Sequence, residues 1–228
     1  MKNSIQKKIK SCGVLAGAFL AASPIVKGDI VHTDVSPDDV INQPDMPAYI
    51  DLDGDGTNDF KIVMRENITS TYDSHGMEYD KDKFVKIKGL ANGHAVAGIP
   101  NSPLWNAELI QQGAAIQNSN QNFSTEAQIA HVERWSTWVG SGTSCAFNEF
   151  ADNNDAIVAL RFKIGNNFHY GWVRLMVSPC IHAPLGSYGG TSYSNMEVQI
   201  KDFGYESIPN GVCYAGWKQY YIYHYCGW

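Results

Sequence analysis

The sequence predicts an all-β protein, an antiparallel β-sandwich of jelly-roll-like type with one or two short helices in an insertion. Three observations carry this. Residues 156–164 (Ala-Ile-Val-Ala-Leu-Arg-Phe-Lys-Ile) form a nearly continuous apolar run of strand length. Gly165-Asn166-Asn167 then turns the chain, and Phe168–Val177 returns antiparallel. Asn195–Phe203 alternates apolar and polar residues, the signature of a strand with one face buried. Between Ile50 and Phe60, Asp51-Leu-Asp-Gly-Asp-Gly-Thr-Asn-Asp59 interrupts two further β-like runs, as a hairpin loop would.

In chain order, residues 1–28 differ from the rest. Lys2, Lys7, Lys8 and Lys10 precede the apolar run Cys12–Ala22, which is too short to span a bilayer. Val26-Lys27-Gly28 offers small or apolar residues at a cleavage site, with a second option near Ala22 or Ser23. The expected organisation is a signal peptide over 1–28, a β-domain over 29–210 and a Tyr/Trp-rich tail over 211–228. The chain carries a net charge of −6. Removing residues 1–28 takes away five Lys and no acids, leaving 12 basic against 23 acidic residues, a net charge of −11. Such a surface disfavours nucleic acid and anionic membranes as partners. It suits a protein that is secreted or held at the cell surface, with no membrane span in the mature chain.

Asp29–Val35 reads as a first strand, ended by Ser36-Pro37-Asp38-Asp39. Ala48–Leu52 and Asp59–Arg65 flank the Asp-rich loop, and Ile68–Tyr72 continues the sheet. Asp73–Asp82 reads as polar and turn-rich. Phe84–Lys88 alternates, and Asn92-Gly93 is a strong turn signal before His94–Ile99. Leu104–Ile116 is expected to form a short helix. A second is expected over Ser124–Val139, where Ile129, Val132 and Trp135 recur at three-residue spacing. Along the hairpin after residue 156, Phe168, Tyr170 and Trp172 share a face and are expected in the core. His169 and Arg174 are expected to be solvated.

The loop carries the strongest chemical signal. Asp51, Asp53, Asp55 and Asp59 stand at positions 1, 3, 5 and 9, with Gly56 at position 6 to make the sharp turn. Calcium takes six to eight oxygens. The four carboxylates and the Thr57 carbonyl are the expected ligands. An EF-hand needs Glu at position 12, where this chain has Ile62, so the loop is not an EF-hand. It resembles the D-x-D-x-D-G-x-x-D hairpin loops of integrin-type propeller repeats and of secreted bacterial β-proteins. The bland alternative is an acidic turn that binds no metal. Four cysteines follow residue 28, namely Cys145, Cys180, Cys213 and Cys226. An even count in an exported chain favours disulfides. Of the three connectivities, Cys145–Cys180 with Cys213–Cys226 is preferred because the second closes a short loop. Zinc at Cys180-Ile-His182 or His224-Tyr-Cys226 fits no standard spacing.

A wider resemblance rests on the Asp-rich loop together with Ala159-Leu-Arg-Phe162, His169-Tyr-Gly-Trp-Val-Arg174 and Ile200-Lys-Asp-Phe-Gly-Tyr-Glu206. This order resembles secreted bacterial β-domain proteins of the PEP-CTERM-associated type, over residues 29–66 and 156–210. Tyr170, Gly171, Trp172, Tyr205 and Glu206 fall on the motif positions. The C-terminus departs from the pattern, with no Pro-Glu-Pro motif. The resemblance implies an exported β-domain.

For catalysis the sequence offers little. Gly140-Ser-Gly-Thr-Ser144 is not a G-x-S-x-G elbow, and no H-E-x-x-H occurs. The expected function is therefore a non-catalytic extracellular module stabilised by calcium, binding glycan or matrix or assembling at a surface. Tyr220, Tyr221, Tyr223, Tyr225 and Trp228 are the candidate contact surface for a glycan or a second subunit. The alternative is a secreted polysaccharide hydrolase. It would use two facing carboxylates from the 67–155 insertion, among Asp73, Glu78, Glu108, Glu126, Glu133 and Glu149.

Overall fold

The apolar run 156–164 becomes the central strand of the molecule. In the computed structural model, which describes residues 28–73, 76–100, 105–137, 140–146, 150, 155–178 and 196–218, strands β11 (Ala156–Ile164) and β12 (Asn167–Val177) form a hairpin. Its register runs from Ile164↔Asn167 at the turn to Ala156↔Leu175. Gly165 takes φ 61°, the left-handed conformation that a two-residue hairpin turn needs. Both faces of β11 are covered. Val158, Leu160 and Phe162 point into the main core, and Ile157 and Ala159 into a second one. This is why β11 reads as continuous rather than alternating.

The other strands are β1 (Ile30–Ile41), β2 (Ala48–Ile50), β3 (Phe60–Asp73), β4 (Gly76–Gly89), β5 (Ala95–Ala97), β6 (Leu109–Ile110), β7 (Ala115–Ile116), β8 (Phe123–Ser124), β9 (Glu126–Thr137), β10 (Gly140–Ala146), β13 (Val198–Glu206) and β14 (Cys213–Tyr214). A seven-stranded sheet runs β1-β13-β12-β11-β5-β8, with β6 also on β11, and a five-stranded sheet runs β10-β9-β4-β3-β2. The paired strands are antiparallel. The main core draws on both sheets, with Phe60, Ile62, Val85, Ile87 and Ile129 from the smaller and Leu160, Phe162, Val173 and Ile200 from the larger. The molecule is thus an antiparallel β-sandwich. A ribbon of β7 and β14 lies over the outer face of the larger sheet, where Ile116, Cys213 and Ala215 cover Ile157, Tyr170 and Trp172.

No helix occurs among the described residues, which corrects both helical expectations. In the segment read as a helix over 104–116, residues 109–110 and 115–116 are the short strands β6 and β7. They are parted by a turn in which Gly113 takes φ 81°. Ser124–Val139 holds strand β9. Its pairing with β4 slips between Val85 and Lys86, where Val85 meets Ala130 and Lys86 meets Gln128. Ile129 is the extra residue of a β-bulge. The bulge puts the core residues Ile129 and Val132 three residues apart, so the pattern imitates a helical one. The polar stretch 73–82 falls largely within β4, paired along β3 from Asp73↔Gly76 inward. Pro37 does not end β1. Pairing with β13 lapses between Asp34 and Asp39 and then resumes, as expected where a residue lacks an N–H donor.

Two further expectations change. His169 is buried, and its Nδ1 donates to the Glu206 carbonyl at 2.9 Å. Arg174 is two residues from Trp172 and therefore shares its face. Its guanidinium lies over the indole ring, with Nε 2.9 Å from Asp202 Oδ1. Tyr170 and Trp172 are core residues as expected, and Phe168 is half-buried.

Candidate metal centre

The Asp-rich loop joins β2 to β3 where Ile50 pairs with Phe60. The Asp59 amide donates to the Ile50 carbonyl at 2.8 Å and closes the loop at its base. Leu52 holds the loop down. It is 2 % exposed, belongs to the main core and lies against Gly171 of β12. Gly54 and Gly56 take φ 75° and 89°, conformations that L side chains rarely adopt.

The side chains of the loop fold inward onto its own amides. Asp51 Oδ1 accepts from Gly54 N at 2.8 Å and Asp55 N at 3.2 Å, and Oδ2 accepts from Gly56 N at 2.8 Å. Asp53 Oδ1 accepts from Asp55 N at 3.2 Å. Asp59 Oδ2 accepts from Leu52 N at 2.8 Å. These bonds bring a carboxylate oxygen from each of Asp51, Asp53 and Asp59 within 4.8 Å of one another, an arrangement that could hold a metal ion. Each carboxylate has about four lone-pair sites, so accepting amide bonds leaves room for a cation. Asp55 lies outside the trio, with Oδ1 accepting from Thr57 N at 2.7 Å, and both residues are exposed.

The electrostatics are unfavourable without a counter-ion. Asp59 is 6 % exposed. Burial pushes its pKa up from 3.8 to about 6. The Leu52 amide and His94 oppose that rise, while the charges of Asp53 and Asp51 add to it. Asp53 is also raised, first by burial and then by the charges of Asp55 and Asp51, against the pull of the Asp55 amide. The Tyr205 phenol is raised, first by burial and then by the charges of Asp53 and Asp59.

Two residues of this neighbourhood, His94 and Tyr205, are not marked by the sequence as neighbours of the loop, although Tyr205 falls on a position of the family motif. His94 is buried behind the loop. Its Nδ1 donates to the Asp59 carbonyl at 3.1 Å and lies 3.6 Å from Asp59 Oδ1, with the ring stacked on Phe60. Tyr205 sits edge-on to Phe162 and His169. Both stand more than thirty residues from the loop, and only folding brings them there.

The other candidate residues fare differently. Cys213 is buried and has no disulfide partner among the described residues; as a thiol it is pushed well above its ordinary pKa by burial and then by the nearby Glu206 charge. The Cys145 side chain, Cys180 and Cys226 lie outside the described residues, as do Tyr220, Tyr221, Tyr223, Tyr225 and Trp228. Glu149 and the side chains of Asp73, Glu78 and Glu133 also lie outside them. Glu126 pairs with Lys86 at 3.0 Å and Lys88 at 3.8 Å. No protein-family model, curated protein or solved structure matches this chain.

Proposed function

We propose that this chain is a secreted, non-catalytic β-module whose 51–59 loop is fastened by calcium. The convergence of Asp51, Asp53 and Asp59, with Asp59 all but buried, carries the reading. The donors are all hard oxygens, which suits calcium or magnesium over zinc or copper. Magnesium demands tight octahedral geometry, whereas a loop of spaced carboxylates and carbonyls can supply the larger and more variable shell of calcium. Asp55 and the Thr57 carbonyl, both on the exposed rim, would complete the set. Bound calcium would offset the mutual repulsion of the carboxylates and tie β2 to β3 at the edge of the core. Its binding free energy would then add to the stability of the fold.

Export, expected from residues 1–28 and from the resemblance to PEP-CTERM-associated proteins, would place the loop where calcium is available. The partner would be an extracellular glycan or matrix, or a second copy of the chain. Calorimetric titration with calcium tests the metal assignment. The expected result is one ion per chain, retained against equal magnesium and lost in Asp53→Asn and Asp59→Asn. Asp59→Asn keeps an oxygen for the Leu52 amide and removes a strained charge. The metal-free variant should therefore melt at or above the metal-free parent. Calcium binding that survives both substitutions would refute the assignment.

A further inference from the structure

The outer face of the larger sheet, at the end where β11 meets β5 and β8, has a charge pattern unlike the rest of the chain. Residues 90–124 and 156–178 contain one acidic residue, Glu108, in a sequence with 23 of them. These segments supply β5 to β8, β11 and β12. Two cations stand there, Arg161 and Lys163, on the same face of β11 and about 7 Å apart along the strand. Neither has a carboxylate partner among the described residues. By contrast Lys83, Lys86, Lys88, Arg174, Lys201 and Lys218 each face one.

Aromatic rings hold both cations in place. The Arg161 guanidinium lies 5.0 Å from the Phe123 ring centre and 4.8 Å from that of Phe168, and Lys163 Nζ lies 4.9 Å from the Phe168 centre. One guanidinium nitrogen donates to Asn118 Oδ1 at 2.8 Å, and Nε is buried without a partner among the described residues. Rings that contact a guanidinium face do not use its N–H donors, and a carboxylate or sulfate is the acceptor that its terminal N–H groups favour. Two like charges gathered on one ring repel each other, and an anion between them would relieve this. Beside them the loop 117–121 exposes a rim of amides. Asn118 and Asn120 are exposed, and Gln121 is fixed through its bonds to the Gln117 amide and the Ala115 carbonyl.

We propose that Arg161 and Lys163, with the Asn118 loop, form a binding site for an acidic polysaccharide. Two cations can meet one or two anionic groups, while the amides meet uncharged hydroxyls. A sugar chain with carboxylates or sulfates spaced among hydroxyls offers both. A nucleic acid needs a longer basic track for its closely spaced phosphates. The inference rests on reading the chain as an extracellular binding module, and it assigns that binding to a face remote in sequence from the Asp loop.

The test is binding of the intact protein to polygalacturonate, dextran sulfate and neutral dextran, in calcium and in chelator. The expected result is retention of one or both polyanions over dextran, in chelator as well as in calcium, weakening as salt rises from 50 to 200 mM. Lys163→Gln and Asn118→Asp should each reduce affinity at least tenfold. The second leaves the ring packing intact and places a carboxylate against the Arg161 guanidinium, so it closes the site without unfolding it. Full competition by millimolar inorganic sulfate would show a site for a small anion and overturn the polysaccharide assignment. Binding lost in chelator and in Asp53→Ala would show calcium bridging at the loop and also overturn it. Absence of polyanion binding in a protein that still binds calcium would remove this inference and leave the calcium reading standing.

Discussion

At the scale of the residue, environment sets what each charge does. Glu126 accepts from Lys86, and that hydrogen bond holds its carboxyl below the usual 4.5 against the opposing effect of burial, with the charges of Lys86 and Lys88 adding to it. A carboxyl whose folded pKa is lowered stabilises the fold above its unfolded value. That stability is lost as pH falls through the folded value. Glu126→Gln should therefore lower the denaturant midpoint at pH 7 by an amount equivalent to about 0.2–1 kcal/mol, as for other exposed pairs. The difference should shrink steadily below pH 4.5, and a difference independent of pH would contradict the assignment. Gly171 is constrained by space rather than charge. A Cβ there would stand 2.6 Å from the Gly204 carbonyl oxygen and 3.2 Å from Leu52 Cδ2. Gly171→Ala should destabilise by about 1–3 kcal/mol, the usual cost of overpacking. Because Leu52 seats the Asp loop, the substitution should weaken calcium affinity as well, measurable in the same titration.

At the scale of the element, legibility depended on how far pattern and environment agreed. The β11–β12 hairpin and the clean alternation of β13 are evident in the sequence because apolar runs and a Gly-Asn turn act together there. The Asp-rich loop is evident for a similar reason, since its ligand spacing is local. β9 is not. Its bulge at Ile129 breaks the two-residue period, and its Glu, Gln and Ala content suits a helix; only pairing with β4 on one side and β10 on the other makes it a strand. The placing of His94, Tyr205 and the Arg161 cluster is not legible either, because each depends on neighbours distant in the chain. Trp172 shows how much one β12 side chain contributes. It is fully buried between β1, β13 and the ribbon, stacked on His32. Trp172→Ala should cost about 3–5 kcal/mol, read as a lower urea midpoint.

At the scale of the whole molecule, the sandwich has two cores, and the second depends on the chain after residue 210. β14 pairs with β7 through Cys213↔Ile116 and Tyr214↔Ala115, and Gly113 N donates to the Ala215 carbonyl at 2.8 Å. Ending the chain at Asn210 would uncover Ile116, Ile157 and Trp172. The shortened protein should bind an apolar dye that the full chain does not, and should melt at lower temperature. The intact fold also keeps Cys213 shielded, so under reducing conditions its thiol should react with a water-soluble reagent only on unfolding, as mass spectrometry of the labelled peptide would reveal. Fast labelling of Cys213 in the native protein would contradict the second core.

The central claim is that calcium fastens the 51–59 loop to the sandwich, and a thermal melt of the chain from Asp29 onward tests it most directly. The comparison is between calcium and chelator, with Asp53→Ala/Asp55→Ala as control. A ligand that binds only the native state stabilises it by about 2.7 kcal/mol at a hundredfold excess over Kd. The account predicts a clear rise in melting temperature with calcium that disappears in the double variant. Identical melts with and without calcium would contradict it and leave the loop an acidic turn.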